Sequence, residues 1–313
     1  MPDVALHAAF GREVRAALPE EIRGVLADVP YTFAQFGPDI WFMYQPWKRR
    51  EGRGRHMHTT RPGEFLMALA DRAKGDPPSP EMFSYLAGFL CHYALDSTTH
   101  PYIIHLTEER HPLPRSHMSF EHSLDILELR RAGKWAGKHA VTDSSFPVIA
   151  LPESMRDDLD AVFEQVYGWK HCWKALNHSW KRYRLCYRVI ENPKGMFSRL
   201  ARKTGKPVLR SLAYSESHFN DMDVENAAGA EWLHSHDPSL RSSAGFDELR
   251  AQAKDMALEL ISAAYRYVFL SEGTREDLAA VIGNRSYLSG LPADDPRNMK
   301  VASLLPPEKA TRP

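Results

Sequence analysis

His92, Asp96 and His100 follow one another at a spacing of four, which puts an imidazole, a carboxylate and a second imidazole on one side of any helix that contains them. Each step of four turns through about 400°, so the side chains drift by only about 40° and stack along one line. Neutral imidazole nitrogens and carboxylate oxygens are the ligands of borderline metal ions, and such a row can serve more than one ion. The neighbours Phe89, Leu90, Tyr93 and Leu95 are apolar, so the helix should be buried and its polar row should need partners. His117, Glu121 and Asp125 repeat the spacing, with His122 about 100° away. One His-x-x-x-Glu pair is commonly a surface ion pair; two successive rows of three favour metal binding.

Earlier residues can complete the coordination. Asp39 stands in Gly37-Pro38-Asp39, where a turn aims a carboxylate just ahead of an aromatic run; His56 and His58 flank Met57, and His7 lies in the first apolar-periodic segment. Trp41 to Trp47 is rich in aromatics and is followed by Lys48, Arg49, Arg50, Arg53 and Arg55. Two accounts stay open: a solvated basic loop beside packed aromatics, or an aromatic wall with a rim that attracts phosphate or touches an anionic membrane surface.

These residues need helices to hold them. Apolar residues recur at helical spacing through most of the chain and period-two runs are scarce, so the fold class is all-α. The spacing predicts helices near 4 to 17, 63 to 74, 80 to 99, 117 to 133, 153 to 190, 195 to 204, 246 to 271 and 274 to 282. Trp169, Trp173, Trp180, Tyr183 and Tyr187 read as a core stripe. The Pro-rich and charged stretch 291–313 has little to bury and is expected to be a poorly ordered tail, leaving one helical domain over 1–290.

With 313 residues, 43% of them hydrophobic, the chain can form a full core without staples, so a metal would be functional rather than structural. A formal net charge of zero gives no global sign of a nucleic-acid partner. No secretory signal and no stretch of membrane-spanning length is evident, and Cys91, Cys172 and Cys186 are odd in number without C-x-x-C spacing. A reducing, cytoplasmic location is the expectation. Oligomeric state leaves no trace in the sequence.

The early His7, Gly37-Pro38-Asp39, Met57-His58 before Gly63-Glu64-Phe65, the run Gly88-Phe89-Leu90-Cys91-His92-Tyr93-Ala94-Leu95-Asp96 continuing to His100-Pro101-Tyr102, and His117-x-x-x-Glu121 together resemble the zinc-dependent phospholipase C family, which is grouped with the single-strand-specific nucleases. The resemblance covers about the first 130 residues, with similarity again at Asn226 to Trp232 and in the helix after Phe246. It implies a multi-helical fold of that type holding two to three zinc ions. One ion would take Asp39, His58, His92 and Asp96; a second His100, His117 and Glu121; a third would share Asp96 and add His7. In the family a processed N-terminal residue also holds the third ion, and this chain has no N-terminal Trp. Asp39 would orient or deprotonate the attacking water.

The expected activity is therefore phospholipase C-like hydrolysis of a phosphate ester by activated water, with phospholipid as the leading substrate class. Alternatives are a single-strand nuclease-like phosphodiesterase, for which Trp41 or Trp47 would have to stack bases, and a helical protein that binds metal without catalysis. Nucleic acid is the less favoured substrate, since the Gly-Pro-Asp and Met-His contexts are closer to the phospholipase branch. No H-E-x-x-H motif supports a protease, the spaced Glu-x-x-His pairs of di-iron bundles are missing from the rows, and His236-Asp237 is followed by Pro238 in loop-like sequence.

Overall fold

The structure, a computed structural model, describes residues 3–45, 52–107, 117–136, 139–191, 195–204, 214 and 223–298. Its helices are α1 (Val4–Ala17), α2 (Glu20–Arg23), α3 (Asp28–Ala34), α4 (Arg53–Thr59), α5 (Pro62–Ala73), α6 (Pro80–Thr107), α7 (His117–Arg131), α8 (Ala140–Ser145), α9 (Arg156–Tyr167), α10 (Cys172–Ile190), α11 (Met196–Thr204), α12 (Phe246–Tyr265) and α13 (Arg275–Ile282). A 3₁₀ segment, Gly37–Met43, lies between α3 and α4. The one sheet among the described residues is a two-residue antiparallel pair, β1 (Trp232–Leu233) with β2 (Arg241–Ser242). The fold is all-α, and no helix of the described residues is long and apolar enough to cross a membrane.

α6 is the axis of the molecule. A helix that is apolar on every face belongs in the interior, and α6 is buried almost continuously from Met82 to Ile104. α12, α3, α5 and α1 surround it. The crossing with α3 is close because Gly88 has no side chain: a Cβ there would run into the Tyr31 carbonyl oxygen. The expected core stripe is present in part: Trp180 packs on Phe33, Phe36 and Phe146 with Tyr183 and Tyr187 beside them, while Trp173 and Trp169, the latter between α9 and α10, are only partly buried.

Several elements differ from the sequence reading. α6 does not end ahead of Pro101 but runs on to Thr107, because tertiary packing on all sides outweighs the one backbone bond that proline removes. The single helix expected over 153–190 is a short 3₁₀ turn, α9 and α10, divided where Gly168 and His171 take φ of 70° and 56°. The helix near 246–271 is α-helical to Tyr265 and closes in a π turn, Arg266–Leu270. α2, α3, α4 and α8 are too short to display a period. Cys172 and Cys186 share α10, and all three cysteines are free thiols.

Residues 291–298, assigned above to the tail, fold back on the body: Ser286 N donates to Leu291 O and Ala293 N to Asn284 O, and Arg297 pairs with Asp237. The rest of the expected tail, 299–313, lies outside the described residues, as do Trp47, Lys48, Arg49 and Arg50.

Candidate metal centre

Four elements bring their polar side chains to one buried place. α6 supplies His92, Asp96 and His100 along one line; the 3₁₀ segment supplies Asp39, α4 supplies His58 and α1 supplies His7. α7 adds His117 and Glu121 at the outer end. The Gly-Pro-Asp turn is explained by His92: Gly37 has φ 44°, and a Cβ on it would lie 2.5 Å from the His92 ring. Only glycine permits both the left-handed backbone and that approach.

Asp96 is the hub. Its Oδ1 is 3.2 Å from His7 Nε2, and its Oδ2 is 3.1 Å from His92 Nε2, 3.8 Å from His58 Nε2 and 3.7 Å from His100 Nδ1. Asp39 Oδ1 is 3.2 Å from His58 Nε2, and His117 Nε2 is 2.8 Å from Glu121 Oε1. Ligand atoms fall into three groups in which all lie within 4.8 Å of one another: Asp39, His58 and His92; His7, His92 and Asp96; His100, His117 and Glu121. His7 stacks on His92, with ring centroids 4.1 Å apart.

The outer ring nitrogens are held by the chain. Nδ1 of His58 donates to Gly54 O at 2.7 Å, that of His92 to Gln35 O at 3.2 Å and that of His100 to Tyr287 O at 2.8 Å. His117 Nδ1 is 3.2 Å from Thr107 Oγ1. A donor bond at Nδ1 fixes the tautomer that leaves the Nε2 lone pair free, which is the support metal-bound imidazoles ordinarily have. His7 has no such support at Nδ1 among the described residues.

Nε2 of His58, His92 and His100, Asp39 Oδ1 and both Asp96 oxygens are buried without a hydrogen-bond partner among the described residues. Leaving so many polar atoms unsatisfied in one place is costly unless something else binds them, so the donor set fits divalent metal. Burial holds His7, and more strongly His100, below the ordinary imidazole value, which keeps their lone pairs available. Burial opposes charge on Asp96 too, but His92, His100 and His7 outweigh it and hold the carboxyl well below its usual range. Burial likewise opposes charge on His92, yet Asp96 and Asp39 raise it. The centre is closed except at one end: the His117 side chain is 38% exposed, against 9% for Glu121 and none for Asp96.

Some residues from the same motifs go elsewhere. Asp125, third in the α7 row, leaves the centre and accepts from Ala5 N and Leu6 N at 2.9 and 2.8 Å, capping α1. His56 faces Tyr167 and Trp169 rather than His58's partners. Arg53 is not a free rim charge; its guanidinium sits over Trp41, Tyr44 and Trp169 at 4.4 to 5.0 Å. His236 and Asp237 lie in a loop, bonded to Ser235 and Ser239. Gly54, Gln35 and Tyr287 escape sequence reasoning because they act through backbone carbonyls, which every residue has.

Comparison with curated proteins and with solved structures returned no match. The family model for zinc dependent phospholipase C matches residues 7–173, more than half of the chain and a span that includes each of the eight side chains of the centre. With a helical fold and a buried set of His, Asp and Glu side chains fit to hold metal, the chain belongs to the zinc-dependent phospholipase C family.

Proposed function

We propose that the protein hydrolyses a phosphate ester, with phospholipid as the substrate class, using two to three zinc ions. Asp39, His58, His92 and Asp96 would hold one ion, His100, His117 and Glu121 a second, and Asp96 with His7 a third. The observation that carries this reading is the buried set of unsatisfied Nε2 and carboxylate atoms, backed by Nδ1–carbonyl bonds that aim the rings. Zinc bound there would supply Lewis acidity toward phosphoryl oxygens and bring the pKa of a water from 15.7 toward about 7.

The chain's own residues do the rest. Asp39 is the base: it lies in the 3₁₀ segment with its Oδ1 turned to His58, and it takes the proton of the attacking water. A new bond forms between that water oxygen and phosphorus, the bond from phosphorus to the leaving alkoxide breaks, and the alkoxide takes a proton from solvent. Substrate enters at the exposed His117 end. A reducing, cytoplasmic setting remains part of the proposal, in keeping with three free thiols.

Elemental analysis and a phosphoester panel on one preparation test the reading. The expected result is about two to three zinc equivalents and turnover of phospholipid vesicles above that of single-stranded oligonucleotides. Zinc below about one equivalent after zinc-replete expression overturns the metal assignment. Zinc without turnover of any phosphoester leaves a metal-binding protein and removes the catalytic one.

A further inference from the structure

Three turns of α6 are tracked by a segment from the far end of the chain. Tyr93 Oη donates to Ile282 O at 3.0 Å and accepts from Arg285 N at 2.8 Å, so one side chain of α6 holds two backbone groups of the segment. One turn on, Gly290 takes φ 67° and lies against the Ser97 carbonyl oxygen, where a Cβ would collide. That oxygen is available because its usual helical partner four residues on is Pro101, which has no N–H. At the next turn His100 Nδ1 donates to Tyr287 O at 2.8 Å. The ring of Tyr287, 1% exposed, stands edge-on to His58 at 5.4 Å and tilted to His92 at 5.8 Å. Asn284 Oδ1 accepts from Gly63 N, tying the segment to the start of α5 as well.

We infer that residues 283–290 form a positioning strap for the metal centre: the strap orients His100 through the Tyr287 carbonyl and is held in register by Tyr93 and Gly290. The inference rests on the metal reading of His100, His117 and Glu121, and it lies outside the 7–173 span matched by the family. His58 and His92 have carbonyl partners of their own, at Gly54 and Gln35. Among the described residues, His100 has only the strap for that purpose, so loss of the register should weaken one ion and spare the ion at Asp39. Outer partners of this kind change metal affinity by about 10- to 100-fold.

Chelator-competition titration with zinc, on the full chain, tests this. Gly290→Ala inserts a Cβ against Ser97 O, and Tyr93→Phe removes the hydroxyl that holds Ile282 and Arg285; each should weaken one zinc by about 10- to 100-fold and leave the tighter binding at its wild-type affinity. Gly290→Ala combined with His100→Ala should bind zinc no more weakly than His100→Ala alone, an outcome that general damage to the fold does not produce. Wild-type titration by both Gly290→Ala and Tyr93→Phe overturns the inference, as does a loss that adds to that of His100→Ala. Should Gly290→Ala fail to fold, Tyr93→Phe decides alone. Wild-type protein that binds less than about one zinc overturns the metal reading itself, and that is seen before any variant is compared.

Discussion

Two buried polar clusters lie a short way apart on the same helices, and they are opposite in kind. In the metal centre, Nε2 of His58, His92 and His100, Asp39 Oδ1 and both Asp96 oxygens converge and find no hydrogen-bond partner among the described residues. Around Asp3 and Asp125 the carboxylates are supplied with donors: Val4 N and the Tyr187 and Tyr214 hydroxyls serve Asp3, and Ala5 N, Leu6 N and Tyr214 Oη serve Asp125. The Tyr214 hydroxyl lies 2.8 Å from Asp3 Oδ2 and 2.7 Å from Asp125 Oδ2, and it has one proton to give. Burial and the neighbouring Asp3 push Asp125 well above its usual range. The second cluster caps α1, and its two carboxylates are supplied with donors by the chain itself, without any ligand. The first is incomplete without one, and buried incompleteness marks the place where a protein expects to bind something.

The largest effect that would break this contrast is chemical. Asp39→Asn keeps the shape but removes the proton acceptor, and turnover should fall by about 10²- to 10⁴-fold while zinc is partly retained. Zinc content and phosphoester turnover measured on the same sample check it; near wild-type turnover with zinc bound means that Asp39 is not the base. Next comes metal retention. Asp96 reaches His7, His58, His92 and His100, so Asp96→Asn should lose more zinc than His7→Ala, whose ring lacks support at Nδ1. Equal losses in the two variants would refute the hub.

On the other side of the comparison the effect is one of stability. Asp125→Ala strips a cap from Ala5 N and Leu6 N and should cost about 1–2 kcal/mol in denaturant unfolding of the metal-free protein. Zinc at the Asp39 and His100 groups should stay bound; loss of both would mean that the two clusters are one system. The smallest effect is in pH dependence. Asp125 has its folded value raised, so its contribution to stability is complete below the unfolded value of 3.8 and is lost as pH rises through the folded value. For Asp3, burial is outweighed by His122 and the tyrosines and its folded value is lowered, so its contribution is present above 3.8 and lost as pH falls. Above about pH 4, metal-free wild type should therefore lose stability relative to Asp125→Ala as pH rises toward the raised folded value. Parallel curves would show that Asp125 folds ionised.

The row on α6 was legible because helical geometry turns a spacing of four into a line, whatever surrounds the helix. The same rule applied to α7 was only half informative. His117 and Glu121 meet His100, but Asp125, one turn further, lies beside the start of α1 and satisfies its free N–H groups instead. Spacing places side chains on a face and does not say what that face meets. Arg53 makes the same point: the sequence shows a cation among aromatics, and only the packing of 168–171 beside Trp41 makes it a caged one.

By itself, the sequence determined the helical class, the long apolar α6 and the side chains fit to ligate metal, since these follow from local periodicity and from residue chemistry. The tertiary structure decided which of those side chains converge, how the long helix expected over 153–190 divides, and which carbonyls hold the imidazoles. His100 is oriented by Tyr287, 187 positions away, through an oxygen that any residue would offer. Backbone carbonyls are alike along the chain, so a bond from a distant side chain to one of them leaves no mark in the residue type of the acceptor, and only the folded path of the chain selects it.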